Sequence, residues 1–157
     1  MLAATLSPSY GIYSGYEHFE NTPLRDGSEE YLDSEKYQLK KRSLDGPLLP
    51  MIQRLNEIRR DNPALQELSN VTFLDTANDA LIAYAKHSRG NTVITVVNID
   101  PHQVQEGVAV VPAHLGLPPS FTAHDLLSDE RYQWRIGHNY VRLVPGERQA
   151  HVVVVET

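Results

Sequence analysis

Three tyrosines, two glycines and two glutamates crowd into Ser7–Glu20, which reads Ser-Pro-Ser-Tyr-Gly-Ile-Tyr-Ser-Gly-Tyr-Glu-His-Phe-Glu. A phenol offers a flat apolar face and a hydrogen-bonding tip, so tyrosines beside carboxylates in a glycine-loosened turn suit a hydroxyl-rich ligand. Glu17, Glu20, Glu29, Glu30, Asp33 and Glu35 then cluster along the chain. Retaining glycoside chemistry needs an acid and a nucleophile about 5 Å apart, and carboxylates are the groups that supply both. Two plainer readings compete: the tyrosines fill a core, and the loop carboxylates are solvated or paired with Arg25, Lys36 and Lys40.

Other chemistries lack their residues. The histidines stand at 18, 87, 102, 114, 124, 138 and 151, never spaced by three or four on one helical face, so no metal site is expected. Ser14 is not framed as Gly-x-Ser-x-Gly, and there is no glycine-rich phosphate loop and no cysteine nucleophile. The single tryptophan, Trp134, alternates with Tyr132 and Ile136, which marks a core position in a strand more than a sugar platform. The run Lys40-Lys41-Arg42 reads as solvated surface.

With 157 residues, 41% hydrophobic and 22% charged, the chain suits one domain, or a small domain and part of another. A net charge of -6 argues against nucleic acid and against an anionic membrane surface. The apolar start, Met-Leu-Ala-Ala-Thr-Leu, is too short for a membrane span or signal peptide. Together with the absence of cysteine, this points to a soluble cytoplasmic protein.

The elements that must position the tyrosines and carboxylates change character near residue 66. Leu2–Leu6 resembles the last turn of a helix, the first hint that the chain continues a larger fold. Ser7–Gly15 reads as a strand ending at a turn. Asn21–Gly46 is too long for an ordinary connection and too rich in Tyr and Leu for disorder, so it is expected to be an ordered loop. Asp45 is a candidate helix cap, with Pro47 near the first helical position. Leu48, Met51, Ile52, Leu55 and Ile58 form an apolar stripe at helical spacing, which must end by Asp61-Asn62 before Pro63. Beyond Asn70 the period becomes two. Short β-branched or aromatic runs at Val71–Asp75, Leu81–His87, Asn91–Asn98, Gln105–Val111, Phe121–Asp125, Arg131–Ile136, Tyr140–Leu143 and Gln149–Val155 predict an antiparallel sandwich. Val93, Ile94, Val96, Val110, Val153 and Val155 are expected among its buried or partly buried residues.

Ser7–Glu17 with the preceding Leu-Ala-Ala-Thr-Leu, then Glu29–Tyr37 (Glu-Glu-Tyr-Leu-Asp-Ser-Glu-Lys-Tyr), then Ile58–Leu65 (Ile-Arg-Arg-Asp-Asn-Pro-Ala-Leu), resemble the α-amylase superfamily. Within it the pattern is most similar to the bacterial α-1,4-glucan:maltose-1-phosphate maltosyltransferases, at their C-terminal end. The resemblance implies a mainly β chain, in which residues 1–66 are the last strand, active-site loop and helix of a (β/α)8 barrel and residues 67–157 the β-sandwich that follows it. It implies retaining transfer of a maltosyl unit from maltose 1-phosphate to an α-1,4-glucan, with no cofactor. The catalytic carboxylates would lie upstream of residue 1, on the rest of the barrel, so none is assigned here. Lys36 and Tyr37 match the family's pair that contacts the bound maltosyl unit, and a homodimer is implied for the whole protein. The alternatives are a stand-alone β-sandwich carbohydrate-binding or interaction module, and the tail of another glycosidase of the superfamily. A free module, however, has no use for residues 1–65.

Overall fold

The computed structural model describes residues 1–34, 36 and 38–156. Past Asn70 the alternating runs form eight strands among these residues. They are β1 (Val71–Leu74), β2 (Leu81–Ser88), β3 (Asn91–Asn98), β4 (Gln105–Val111), β5 (Ser120–Asp125), β6 (Arg131–Arg135), β7 (Gly137–Leu143) and β8 (Ala150–Glu156). Six make one antiparallel sheet in the order β1-β2-β3-β8-β5-β6, and β4 pairs with β7 as a separate ribbon. The mainly β architecture and the position of each expected strand agree with the sequence reading. The seventh strand begins three places earlier than Tyr140, at Gly137, whose φ of 97° starts a turn that lets Gly137 pair with Val111.

The core lies between sheet and ribbon. Ala83, Ala85, Ile94, Val96, Phe121, Ala123, Trp134 and Val153 pack against Ala109, Val111, Val141 and Leu143. The opposite face of the sheet is also covered. Val93 and Val152 lie under Ile58, Ala64 and Leu65, with Met1, Leu126 and Leu127 around them. β3 therefore has both faces buried, which explains why it reads Thr-Val-Ile-Thr-Val-Val and not as a polar–apolar alternation.

That second cover consists of α1 (Leu2–Leu6), α2 (Leu49–Asp61) and a 3-10 turn at Pro63–Gln66. From the predicted stripe of α2, Leu55 and Ile58 are buried while Met51 is 45% exposed. The helix starts later than its signals suggest. Pro50, not Pro47, stands in the first turn, and Asp45 accepts a hydrogen bond from Ser43 instead of capping the helix. Asn62 closes the other end by donating to the Ile58 carbonyl at 2.8 Å. The Tyr10–Tyr13 segment has no sheet pairing among the described residues. A strand exists through its ladder, and no neighbouring described element presents an edge to this one.

Several charges are buried in this layered structure. Lys86, on the helix-covered face of β2, is fully buried, and its ammonium donates to the Leu6 carbonyl at 2.9 Å and the Glu67 carbonyl at 2.5 Å. Burial, reinforced by the nearby Arg59 guanidinium, holds the Lys86 ammonium below the usual lysine range. Two residues earlier on the same strand, Tyr84 shares a 2.5 Å hydrogen bond with Thr5, and burial pushes the phenol up. On the core-facing side Asp125 is fully buried and lies 2.7 Å from His151 Nδ1. Burial alone would raise that carboxyl. The hydrogen bond to His151 and the N–H groups of Leu127 and Val152 outweigh it and hold Asp125 below the usual aspartate range.

Two outcomes follow from these buried groups. Lys86→Met leaves two buried carbonyls without a donor, each worth about 1–3 kcal/mol, so stability should fall by about 2–4 kcal/mol and amide exchange should accelerate across Ala4–Tyr10. Urea unfolding with hydrogen-exchange mass spectrometry checks both. Asp125→Ala should cost about 3–5 kcal/mol at neutral pH because it strips a buried histidine and two amides of their acceptor. The folded carboxyl is depressed, so as the pH falls below about 4 the unfolded chain takes up its proton first and the parent loses this contribution. The gap between parent and variant should therefore narrow from pH 7 to pH 3 in denaturation curves. A constant gap would be inconsistent with an Asp125 carboxyl held below its ordinary range.

Candidate functional site

The tyrosine-rich segment is fixed from behind by α2. Arg59 reaches across to the carbonyls of Ala4, Ser7 (2.7 Å) and Pro8 (2.6 Å), and its guanidinium carbon sits 4.9 Å over the Tyr10 ring. Tyr10 in turn donates to Asn56 at 2.6 Å. Gly15 then turns the chain at a φ of 99°, and a Cβ there would lie 2.6 Å from Glu20 Oε2, so both conformation and space demand glycine. Tyr16–His18 forms a single 3-10 turn.

From that turn the loop doubles back on itself. Leu24 N–H donates to the Glu30 carbonyl at 2.7 Å, Leu32 N–H to Thr22 at 2.8 Å, and Pro23 bridges Tyr31, which makes a small hairpin. Tyr31 meets Tyr13 edge to face with ring centroids 6.1 Å apart, docking the hairpin on the tyrosine-rich segment. The described part of the Asn21–Gly46 loop is thus folded around this hairpin.

Its base is closed by charge. Arg42 binds Glu20 with two parallel bonds, Nε to Oε1 at 2.9 Å and Nη2 to Oε2 at 2.8 Å, and gives a third to Ser14 Oγ at 3.0 Å. Lys40 adds a bond to Glu20 Oε2 at 3.3 Å. The Arg42 hydrogen bonds, helped by Lys40, bring the Glu20 carboxyl down to about 2. The run Lys40-Lys41-Arg42 is thus not simply solvated surface, since the Arg42 side chain is only 10% exposed. Its acidic partner was present among the sequence candidates, but nothing in linear spacing links position 20 to position 42. Arg59 was missed for the same reason, as its acceptors are backbone carbonyls.

Of the candidate sugar-holding pair, Lys36 is exposed at the surface of the loop, with its ammonium 3.0 Å from Glu30 Oε1, and Tyr37 lies outside the described residues. Of the other loop carboxylates, Glu35 also lies outside the described residues, and three of the described ones are taken up by neighbours. Glu17 accepts from the Gly15 amide at 3.1 Å, Glu20 is held by Arg42, and Glu30 by Lys36. Glu20 and Asp33, with Asn21, Thr22, Tyr31, Leu32 and Lys40, line a hollow of about 200 Å³ at the foot of the hairpin. Its walls carry carboxylates, an amide, a phenol and an ammonium, the donor and acceptor mix that recognises vicinal hydroxyls.

The histidines are dispersed. His151 pairs with Asp125, His124 stands between Asp129 at 2.6 Å and Glu156 at 3.1 Å, and His18 contacts the Ser43 carbonyl at 3.0 Å. Trp134 is a core residue at 5% exposure. Among the described residues no group of three or more His, Asp or Glu is arranged to hold a metal ion, and no helix is long and apolar enough to cross a membrane.

Known proteins share both halves of this arrangement. The maltogenic α-amylase AmyB from Thermotoga neapolitana superposes over 99% of this chain and 35% of its own, with a TM-score of 0.66 at 10% identity, a likeness of fold. The α-1,4-glucan:maltose-1-phosphate maltosyltransferase 2 of Streptomyces coelicolor is 53% identical over 97% of this chain, and the maltosyltransferase of Picrophilus torridus 44% identical over 99%. The chain spans about a quarter of the length of these relatives, 24% and 25%. The match covers the tyrosine-rich segment, the loop and α2 as well as the sandwich. A family model described as GLGE, C-terminal, fits residues 73–155, more than half of the chain, and the protein belongs to that family.

Proposed function

We propose that this chain is the C-terminal part of an α-1,4-glucan:maltose-1-phosphate maltosyltransferase, and that its loop Asn21–Gly46 forms one wall of the donor-sugar site. The observation that carries this reading is the 53% identity to a maltosyltransferase across 97% of the chain, loop included. In this reading residues 1–66 end the catalytic barrel and residues 67–157 are the sandwich docked on it. The catalytic acid and nucleophile belong to the part of the enzyme that this chain does not span. The match across residues 1–66 is what favours this over an independent glycan-binding module. The whole enzyme is proposed to be a cytoplasmic homodimer, in keeping with an acidic chain free of cysteine.

The chemistry asked of Lys36 is modest and specific. A retaining transfer passes through an oxocarbenium-like state in which the sugar hydroxyls must keep one orientation while the anomeric carbon changes geometry. An ammonium on a loop at the mouth of a barrel can hold those hydroxyls, and a phenol at Tyr37 adds a second donor. The Glu30 contact orients the ammonium before sugar arrives. Because the Lys36 side chain is 65% exposed, the pair itself contributes little to stability.

In the full-length enzyme, Lys36→Ala should lower kcat/KM for maltose 1-phosphate about ten- to hundredfold, the equivalent of a charge-assisted hydrogen bond of about 1.5–3 kcal/mol. Tyr37→Phe should cost somewhat less, about 0.5–1.5 kcal/mol. Phosphate release with an α-1,4-glucan acceptor measures both. A Lys36→Ala enzyme within about threefold of the parent, near 0.65 kcal/mol, would falsify the assignment.

A further inference from the structure

The Glu20–Arg42 pair has features that a stabilising surface contact does not need. Arg42 is largely buried at an otherwise open loop, uses three of its donors, and draws on both ends of the loop and on the tyrosine-rich segment at once. The left-handed backbone at Gly15 brings the Glu20 carboxylate close against the chain, with a Cβ position 2.6 Å from Glu20 Oε2. The same turn is held on its far side, where Leu48 N–H donates to the Glu17 carbonyl at 3.2 Å and a Cβ at Gly46 would collide with that carbonyl.

From this base a continuous set of contacts leads to Lys36. Glu20 opens the first arm of the hairpin, Thr22–Leu24 pairs with Glu30–Leu32, and Glu30 holds the Lys36 ammonium. Lys40, next to Arg42, binds the same Glu20 and lines the hollow under the hairpin. A hairpin with two short arms has little packing of its own, so its direction depends on what fixes its ends.

We propose that Glu20 and Arg42 are positioning residues for sugar transfer: their bidentate ion pair, with Ser14 as third anchor, sets the angle at which the hairpin presents Lys36 to the donor sugar. This rests on the assignment of Lys36 made above. Arg42 does not line the hollow under the hairpin, and Glu20, which does, is held there by Arg42. Each acts through the loop, and a loop tilted by an ångström loses the geometry that holds a reacting sugar.

A double-mutant cycle in the full-length enzyme tests it, with phosphate release from maltose 1-phosphate as the readout and thermal unfolding recorded alongside. Arg42→Ala should lower kcat/KM about tenfold or more, and Arg42→Lys, which keeps charge but loses the fork, should recover only part of that. In the Lys36→Ala background the Arg42→Ala loss should shrink to about threefold or less, because the group it positions is gone. Full additivity of the two losses overturns the proposal, as does an Arg42→Ala enzyme within about threefold of the parent. Should Arg42→Ala fail to fold, Ser14→Ala removes one anchor alone, and the same non-additivity with Lys36→Ala is required. A Lys36→Ala enzyme that keeps full activity overturns the assignment of Lys36 and this proposal with it, an outcome separate from failure of the cycle.

Discussion

A lysine ammonium that forms no ion pair among the described residues, buried on the second strand of a sheet, is the constraint around which this molecule is arranged. Lys86 must be solvated by something, and what solvates it are carbonyls from two distant parts of the chain, Leu6 and Glu67. The first belongs to the segment that leads into the tyrosines and the second to the connection between helix and sandwich. One charge thus obliges α1, the connection and β2 to meet at a point. Arg59 repeats the device from the other side, binding the carbonyls of Ala4, Ser7 and Pro8. Carbonyl acceptors carry no sequence signal and tolerate almost any side chain, so the contact specifies backbone path and not residue identity.

The loop is governed by the same logic with exposed charges. Its hairpin buries little apolar surface, and Tyr13 against Tyr31 is the aromatic contact that seats it. What fixes the loop is polar: the Glu20–Arg42 fork at its base and the backbone pairing of Thr22–Leu24 with Glu30–Leu32. Such a segment keeps polar groups available to a hydroxyl-rich ligand because few are consumed in a core. The sandwich beneath supplies rigidity, with β3 covered on both faces and the Asp125–His151 pair sealed at its far end.

How much of this was legible in the sequence differs by level. The sandwich strands were readable because alternation of Val, Ile, Thr and aromatic residues is itself the consequence of a pleat with one buried face. Leu55 and Ile58 were readable as a helical stripe, whereas the start of α2 was not, since Asp45 and Pro47 look like start signals yet the chain needs three more residues to leave Gly46 against Glu17. The tyrosine-rich segment reads as a strand from composition, but pairing is a property of neighbours and none is present beside it. Lys36 was singled out by resemblance and not by chemistry, and the physical reading of the loop carboxylates as paired surface groups describes Glu20 and Glu30 correctly. Arg42 and Arg59, the residues with the most polar contacts around the site, have no local pattern that distinguishes them from solvated arginines.

The strand order has a consequence for how this part of the protein is made. β8 is the last strand in the chain, yet it lies in the interior of the sheet, with β3 on one side and β5 on the other. Until it emerges, β1-β2-β3 and β5-β6 are two separate antiparallel pieces, each with an open edge that has no partner. The Asp125–His151 pair and the Val93–Val152 packing both await the same seven residues. On a ribosome, the helical layer of α1 and α2 can therefore acquire its complete floor only after synthesis has passed residue 156, and the two half-sheets with their unsatisfied edges are the species that chaperones would meet first.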